Sequence, residues 1–118
     1  MKVDCIFCKI SSGEVPAKKI LENDHAFVIA DLHPQAKKHF LVIPKKHIQS
    51  VATAFEEPTE AKTILGELFA LGYELAQNEK LLPGGFRSVI NTNADGGQTV
   101  FHLHLHILGG EKLKDGFA

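Results

Sequence analysis

The sequence has no tryptophan, one tyrosine, one methionine and only two cysteines in 118 residues. Two cysteines cannot build a disulfide framework, so Cys5 and Cys8 read as thiols or metal ligands. No apolar run approaches the roughly 18 residues needed to span a membrane, and the N-terminus lacks a secretory-signal pattern. These absences predict a cytoplasmic protein with no membrane attachment. Long runs of one charge are missing too, and the net charge is −1. Lys37-Lys38 and Lys45-Lys46 are isolated pairs, better read as solvated surface than as a nucleic-acid face. Repeats, linkers and low-complexity tracts are also lacking. With 44% hydrophobic and 23% charged residues, the chain reads as one domain over residues 1–118, large enough to bury a core without staples.

Histidine, by contrast, is plentiful, at 7 residues. Three of them alternate with apolar residues in Val100-Phe101-His102-Leu103-His104-Leu105-His106-Ile107. Period 2 predicts a strand over 100–107 with one buried face and all three imidazoles on the other, roughly 6.5–7 Å apart. The solvent face of a half-buried strand accepts any polar residue, so a lone histidine there would be structural. Three in register, after the loop Gly96-Gly97-Gln98-Thr99, point instead to a site. Glycines let backbone N–H groups approach an anion, and amide, hydroxyl and imidazole donors can share its charge. That combination suits phosphoryl or nucleotidyl chemistry.

Along the rest of the chain, Cys5 to Ile10 is short and apolar, and Ser11-Ser12-Gly13 is a turn. Residues 18–22 and 25–31 read as strands joined by an Asn23-Asp24 turn. Asp31 to Gln35 is a loop, His39 to Ile43 is a strand stopped by Pro44, and Phe86 to Ile90 is another strand. One long helix is predicted over 59–79, where Ile64, Leu65, Leu68, Leu71, Gly72, Leu75 and Ala76 form an apolar stripe. Phe69 and Tyr73 widen that stripe toward a subunit interface. The order predicts an α+β domain, a mostly antiparallel sheet packed with one long helix. His25 and His33 read as surface residues without a role. Cys5-x-x-Cys8 has the spacing of half a zinc site; two buried thiols or a redox pair are the other readings.

The run His102 to Gly110, with Gly96 to Phe101 before it, resembles the signature of the histidine-triad (HIT) superfamily of nucleotide hydrolases and transferases. Ile6-Phe7, Lys9-Ile10, Glu14-Val15-Pro16, Asp31 with Pro34-Gln35, His39 to His47 and Asn91 fall in the family's order. The Gly109-Gly110 ending resembles the branch of purine nucleoside phosphoramidases. The resemblance implies that His104 attacks the α-phosphorus of a nucleoside phosphoramidate, expels an amine and forms a nucleotidyl-histidine that water hydrolyses. Attack needs a neutral imidazole whose second nitrogen keeps its proton on an acceptor, most simply a backbone carbonyl. His106 is then a phosphate donor, as are Gln98 and Thr99 beside Gly97, and Asn91 holds the phosphate end. His39 is the fourth histidine, which orients the others. Asp31 accepts from the ribose hydroxyls, and Ile6, Phe7, Ile10, Ile29, Leu32 and Leu41 form an apolar purine slot. By pattern alone those six read as core.

The resemblance also adds His47 and His102 to Cys5 and Cys8 as a closed structural zinc site. It implies a homodimer in which two chains share a larger sheet. The family tail often reaches across that dimer, but here Glu111 to Ala118 is short and offers only Phe117 as an aromatic. Two other functions stay open: a dinucleoside polyphosphate hydrolase or nucleotidyl transferase using the same histidine, and a nucleotide-binding regulatory protein with incidental turnover.

Overall fold

The computed structural model describes residues 4–115; Phe117 lies outside them. Helix α1 spans Ile6–Ser12 and β1 spans Leu21–Glu22, followed by β2 (Ala26–Ala30) and β3 (Lys38–Pro44). After them come α2 (Val51–Ala54), α3 (Pro58–Asn78), β4 (Phe86–Val89) and β5 (Leu105–Gly109). The five strands pair antiparallel in the order β1-β2-β3-β5-β4. An α+β architecture with one long helix is therefore what the chain adopts.

Alternation along the strands gives the sheet two apolar faces. On one, Val28, Phe40, Val42, Leu105 and Ile107 pack against Leu68, Leu71 and Leu75 of α3. Gly72 sits where the helix comes closest, since a Cβ there would lie 3.3 Å from the Ile107 Cδ1. Ile64 and Leu65 are only partly buried, and Phe69 and Tyr73 stand exposed beside the stripe. On the other face Phe27, Ile29, Leu41 and Ile43 pack against Phe7 and Ile10 of α1. Helix α1, too short to show a period in the sequence, is capped by Cys5, whose Sγ accepts the Cys8 N–H, and ends at Gly13 with φ 86°. It covers only part of that face; the rest is open over β3 and β5.

The strand expected over 100–107 is corrected. Pairing begins at Leu105 and runs to Gly109, while Val100 to His104 lie outside the sheet. There the backbone has other partners. The Leu103 N–H donates to the Ile48 carbonyl at 2.7 Å, and the His102 carbonyl accepts from the His104 ring. The two-residue alternation persists without the ladder: Leu103, Leu105 and Ile107 are buried in the α3 core, whereas Phe101, expected on that face, is exposed. Strand β3 also runs one residue further than expected at each end. Pro44 closes it opposite Ala26, at a strand end where the missing N–H costs no ladder bond.

Candidate active site

The open part of the second sheet face is a cavity of about 510 Å³. His39 on β3 and His106 on β5 enter it from the sheet. His106 stands directly opposite Leu41, so His39, two residues away on β3, is its diagonal neighbour. His104 comes from the segment before β5, with its ring 5.0 Å from His106 and 5.3 Å from Phe7. Asp31, at the end of β2, Asn91, Gly97 and Thr99 complete the polar wall. Ile6, Phe7, Ile10, Ile29, Leu32 and Leu41 form the apolar one. Phe7, Ile10, Ile29 and Leu41 are buried at its base, while Leu32 is 90% exposed and Ile6 44% exposed at its rim. Exposed apolar side chains above a buried apolar floor suit a planar, poorly hydrated ligand group.

The hydrogen bonds fix where each ring proton lies. A backbone carbonyl only accepts, so His104 Nδ1, 2.7 Å from the His102 carbonyl, carries a hydrogen. Its Nε2 then keeps a lone pair. A second chain begins in the loop. The Gln35 N–H donates to His39 Nδ1 at 3.0 Å, which leaves the neutral His39 ring its hydrogen on Nε2. That Nε2–H lies 2.9 Å from His106 Nδ1 and 3.4 Å from Asp31 Oδ2. Given to His106, it makes Nδ1 the acceptor and Nε2 the donor of that ring. Burial, then repulsion from His104 and His39, lowers the His106 pKa to about 4, with Asp31 opposing. Burial lowers His39 as well, again against Asp31. These two rings are neutral near pH 7, so tautomer rather than charge decides what they offer.

Gln98 is corrected. It is 5% exposed and is not on the cavity wall. Its Nε2 donates to the Gln49 and Val100 carbonyls at 2.7 and 3.0 Å, and its Oε1 accepts the Asn93 N–H at 2.8 Å. Both amide hydrogens are used on the backbone, as a buried amide requires. The N–H groups of Gly96, Gly97 and Gln98 likewise turn back onto the Asn93 and Ala94 carbonyls. The glycine loop is therefore closed on itself and presents Gly97 and Thr99 to the cavity. In the other direction, His33 and Gln35 were missed and line it. The signal was Asp31-x-His33: an aspartate two residues before an N–H makes a side-chain turn, here Asp31 Oδ1 to the His33 N–H at 2.8 Å.

Beside this cavity, Cys5, Cys8, His47 and His102 bring one ligand atom each within 4.8 Å of one another. His102 Nδ1 lies 3.3 Å from Cys5 Sγ, 3.6 Å from Cys8 Sγ and 3.2 Å from His47 Nδ1. Cys8 Sγ is 3.4 Å from His47 Nδ1. Tetrahedral ligands of zinc, bonded at about 2.0–2.1 Å to nitrogen and 2.3 Å to sulfur, stand roughly 3.3–3.8 Å apart. The Nε2–H of His102 donates to the Pro44 carbonyl at 2.8 Å, so its Nδ1 lone pair points inward. Burial, and then the neighbouring Cys5, push the Cys8 thiol up to about 11; a bound cation is what would favour the thiolate there. Donor set, spacing and lone-pair direction all fit a closed zinc site.

The HIT domain family matches residues 12–113. An uncharacterized HIT-like protein of Synechococcus elongatus is 44% identical over 96% of this chain and 96% of its own length. The purine nucleoside phosphoramidase of Escherichia coli is 35% identical over 96% and 92%. Among solved structures, a histidine triad protein from Clostridium difficile superposes with a TM-score of 0.92 at 39% identity, covering 99% of both chains. A zinc-bound histidine triad family protein from Mycobacterium smegmatis matches with a TM-score of 0.79 at 34% identity, covering 94% of this chain and 80% of that one. The chain belongs to the HIT-domain family of histidine triad proteins.

Proposed function

We propose that the chain hydrolyses the P–N bond of purine nucleoside 5′-phosphoramidates through a nucleotidyl-histidine intermediate on His104. The observation that carries this reading is the proton pattern. With Nδ1–H on the His102 carbonyl, His104 has its Nε2 lone pair free for the cavity. Nε2 attacks the α-phosphorus, the P–N bond breaks, and its electron pair leaves with the amine, which takes up a proton. The Nε2–H of His106 stabilises the charge gathering on the phosphate oxygens, and His39 holds His106 in that tautomer. Thr99 and Asn91 hold the phosphate and Gly97 allows its close approach. Water then attacks the phosphorus, the bond to His104 breaks, and nucleoside monophosphate leaves. The purine occupies the apolar wall and Asp31 accepts from the ribose. Likeness to the Escherichia coli phosphoramidase supports the substrate class.

Cys5, Cys8, His47 and His102 hold a structural zinc ion in this reading. Zinc with four protein ligands has no open position, so it cross-links the N-terminal segment to the strand that follows His104. We also read the protein as a cytoplasmic homodimer with a shared sheet. The free thiols suit a reducing compartment. Strand β4 is the longer open edge, and Phe69 and Tyr73 stand exposed on α3. No helix among the described residues is long and apolar enough to cross a membrane.

The test is direct. Purified protein is given adenosine 5′-phosphoramidate or a diadenosine polyphosphate, and kcat/KM is compared. Faster cleavage of the polyphosphate would overturn the phosphoramidase reading in favour of the polyphosphate hydrolase.

A further inference from the structure

His39 has one ring hydrogen to give, directed at His106, and a carboxylate at ion-pair distance that competes for it. The Gln35 N–H occupies Nδ1 at 3.0 Å, so the hydrogen is on Nε2. From there His106 Nδ1 is 2.9 Å away and Asp31 Oδ2 is 3.4 Å away. The carboxylate cannot turn aside, because its Oδ1 accepts the His33 N–H at 2.8 Å. The same carboxylate lines the cavity.

The choice matters at His106. When His39 donates to it, Nδ1 must be an acceptor and the ring presents Nε2–H. When the His39 ring tilts toward Asp31, the hydrogen bond that holds a lone pair at His106 Nδ1 is lost. The His106 ring can then carry its hydrogen there and offer a lone pair to a phosphate oxygen, which repels it. We propose that the ribose diol of the bound nucleotide settles this choice: by donating to Asp31 it withdraws the competing acceptor and commits the His39 hydrogen to His106. Asp31 and the Asp31–Gln35 loop thereby act as positioning residues, and binding the nucleoside prepares the phosphate donor. This rests on the proposed reading that Asp31 receives the ribose.

Removing a substrate group far from the reacting bond should therefore lower kcat and not only raise KM. Weakening one neutral hydrogen bond in the transition state corresponds to a rate loss of up to about tenfold. The experiment compares adenosine 5′-phosphoramidate with its 2′,3′-dideoxy counterpart under single turnover. Wild-type protein should lose about tenfold in the maximal rate with the dideoxy substrate, and in Asp31→Asn that ratio should fall to near one. Imidazole ¹H–¹⁵N spectra of wild-type protein saturated with adenosine or with 2′,3′-dideoxyadenosine supply a readout free of turnover. Adenosine should give a single His106 pattern with Nδ1 bare and Nε2 protonated; the dideoxy complex should give a mixture.

Equal maximal rates with a changed KM, or identical imidazole spectra in the two complexes, would overturn the coupling. Failure of the phosphoramidase reading looks different: neither phosphoramidate is cleaved, while the spectra still decide the coupling through the bound nucleosides. Adenosine that does not bind at all overturns both.

Discussion

Two clusters of closely spaced ligand atoms flank His104. Cys5, Cys8, His47 and His102 lie on one side; Asp31, His39 and His106 lie on the other, also within 4.8 Å of one another. Distance alone does not separate them, and burial lowers both His102 and His106 to about 4. What separates them is the partner of the far ring nitrogen. The Pro44 carbonyl takes the Nε2–H of His102, so a lone pair faces the sulfurs. The Gln35 N–H takes the Nδ1 lone pair of His39, so a hydrogen faces His106 and Asp31. The first arrangement suits a cation; in the second, a metal on His39 Nε2 would have to break the bond from Gln35. One backbone carbonyl and one backbone N–H thus suit the same side chain to metal ligation in one cluster and to hydrogen donation in the other.

The largest expected effect lies between the clusters. His104→Ala should lower the single-turnover rate at least ~10³-fold, and rapid quenching should then recover no nucleotidyl-protein adduct. Near-full turnover would remove His104 from the chemistry and leave the comparison without a centre. Next comes the metal. Protein prepared without added metal should contain one zinc per chain, not two. Cys8→Ser should abolish that zinc and lower Tm by about 10 °C, the equivalent of some 2–3 kcal/mol in a domain of this size. Asp31→Asn should leave the zinc content unchanged. Zinc-free protein with an unchanged Tm would show that the lone-pair argument does not mark a metal site.

How far the sequence reveals these clusters depends on what holds each residue. A mostly antiparallel sheet and α3 follow from periodicity, though the strand order does not, and Leu103, Leu105 and Ile107 alternate with His102, His104 and His106 as expected. Period 2 could not show where pairing stops, because alternation survives at Leu103 without a ladder. Helix α1 is too short to display a period, and its start rests on a cysteine cap. Within the site, the residues that touch the cavity were largely legible from family resemblance, and the acceptor at His104 Nδ1 from the demands of nucleophilic attack. Which carbonyl serves was not legible, nor that Gln98 spends its amide on Gln49 and Val100, nor that Gln35 sets the His39 tautomer. Each depends on backbone brought together from distant segments or on one local turn.

Gln98 offers a smaller effect with a clear sign. Gln98→Ala should destabilise the fold by about 1–3 kcal/mol, because it strands the Asn93 N–H and the carbonyls of Gln49 and Val100. Chemical denaturation measures the loss. An unchanged stability with reduced kcat/KM would instead make Gln98 a direct phosphate donor.

The smallest effect sharpens the relay side. An unfolded histidine takes its proton near pH 6.5, whereas His106 in the fold does so near pH 4 and His39 is shifted the same way. Between those values the unfolded state binds more protons, so stability falls as pH falls. From pH 7 to pH 5.5, above the range where carboxylates titrate, a fully shifted histidine contributes a loss of about 1 kcal/mol. Denaturant midpoints at the two pH values should show that loss in wild-type protein and less of it in His106→Phe. The same slope in both would mean that His106 takes its proton at the same pH folded as unfolded and is charged in the fold at pH 5.5. It would then have no bare Nδ1 to accept from His39, and the relay would lose the property that distinguishes it from the metal cluster.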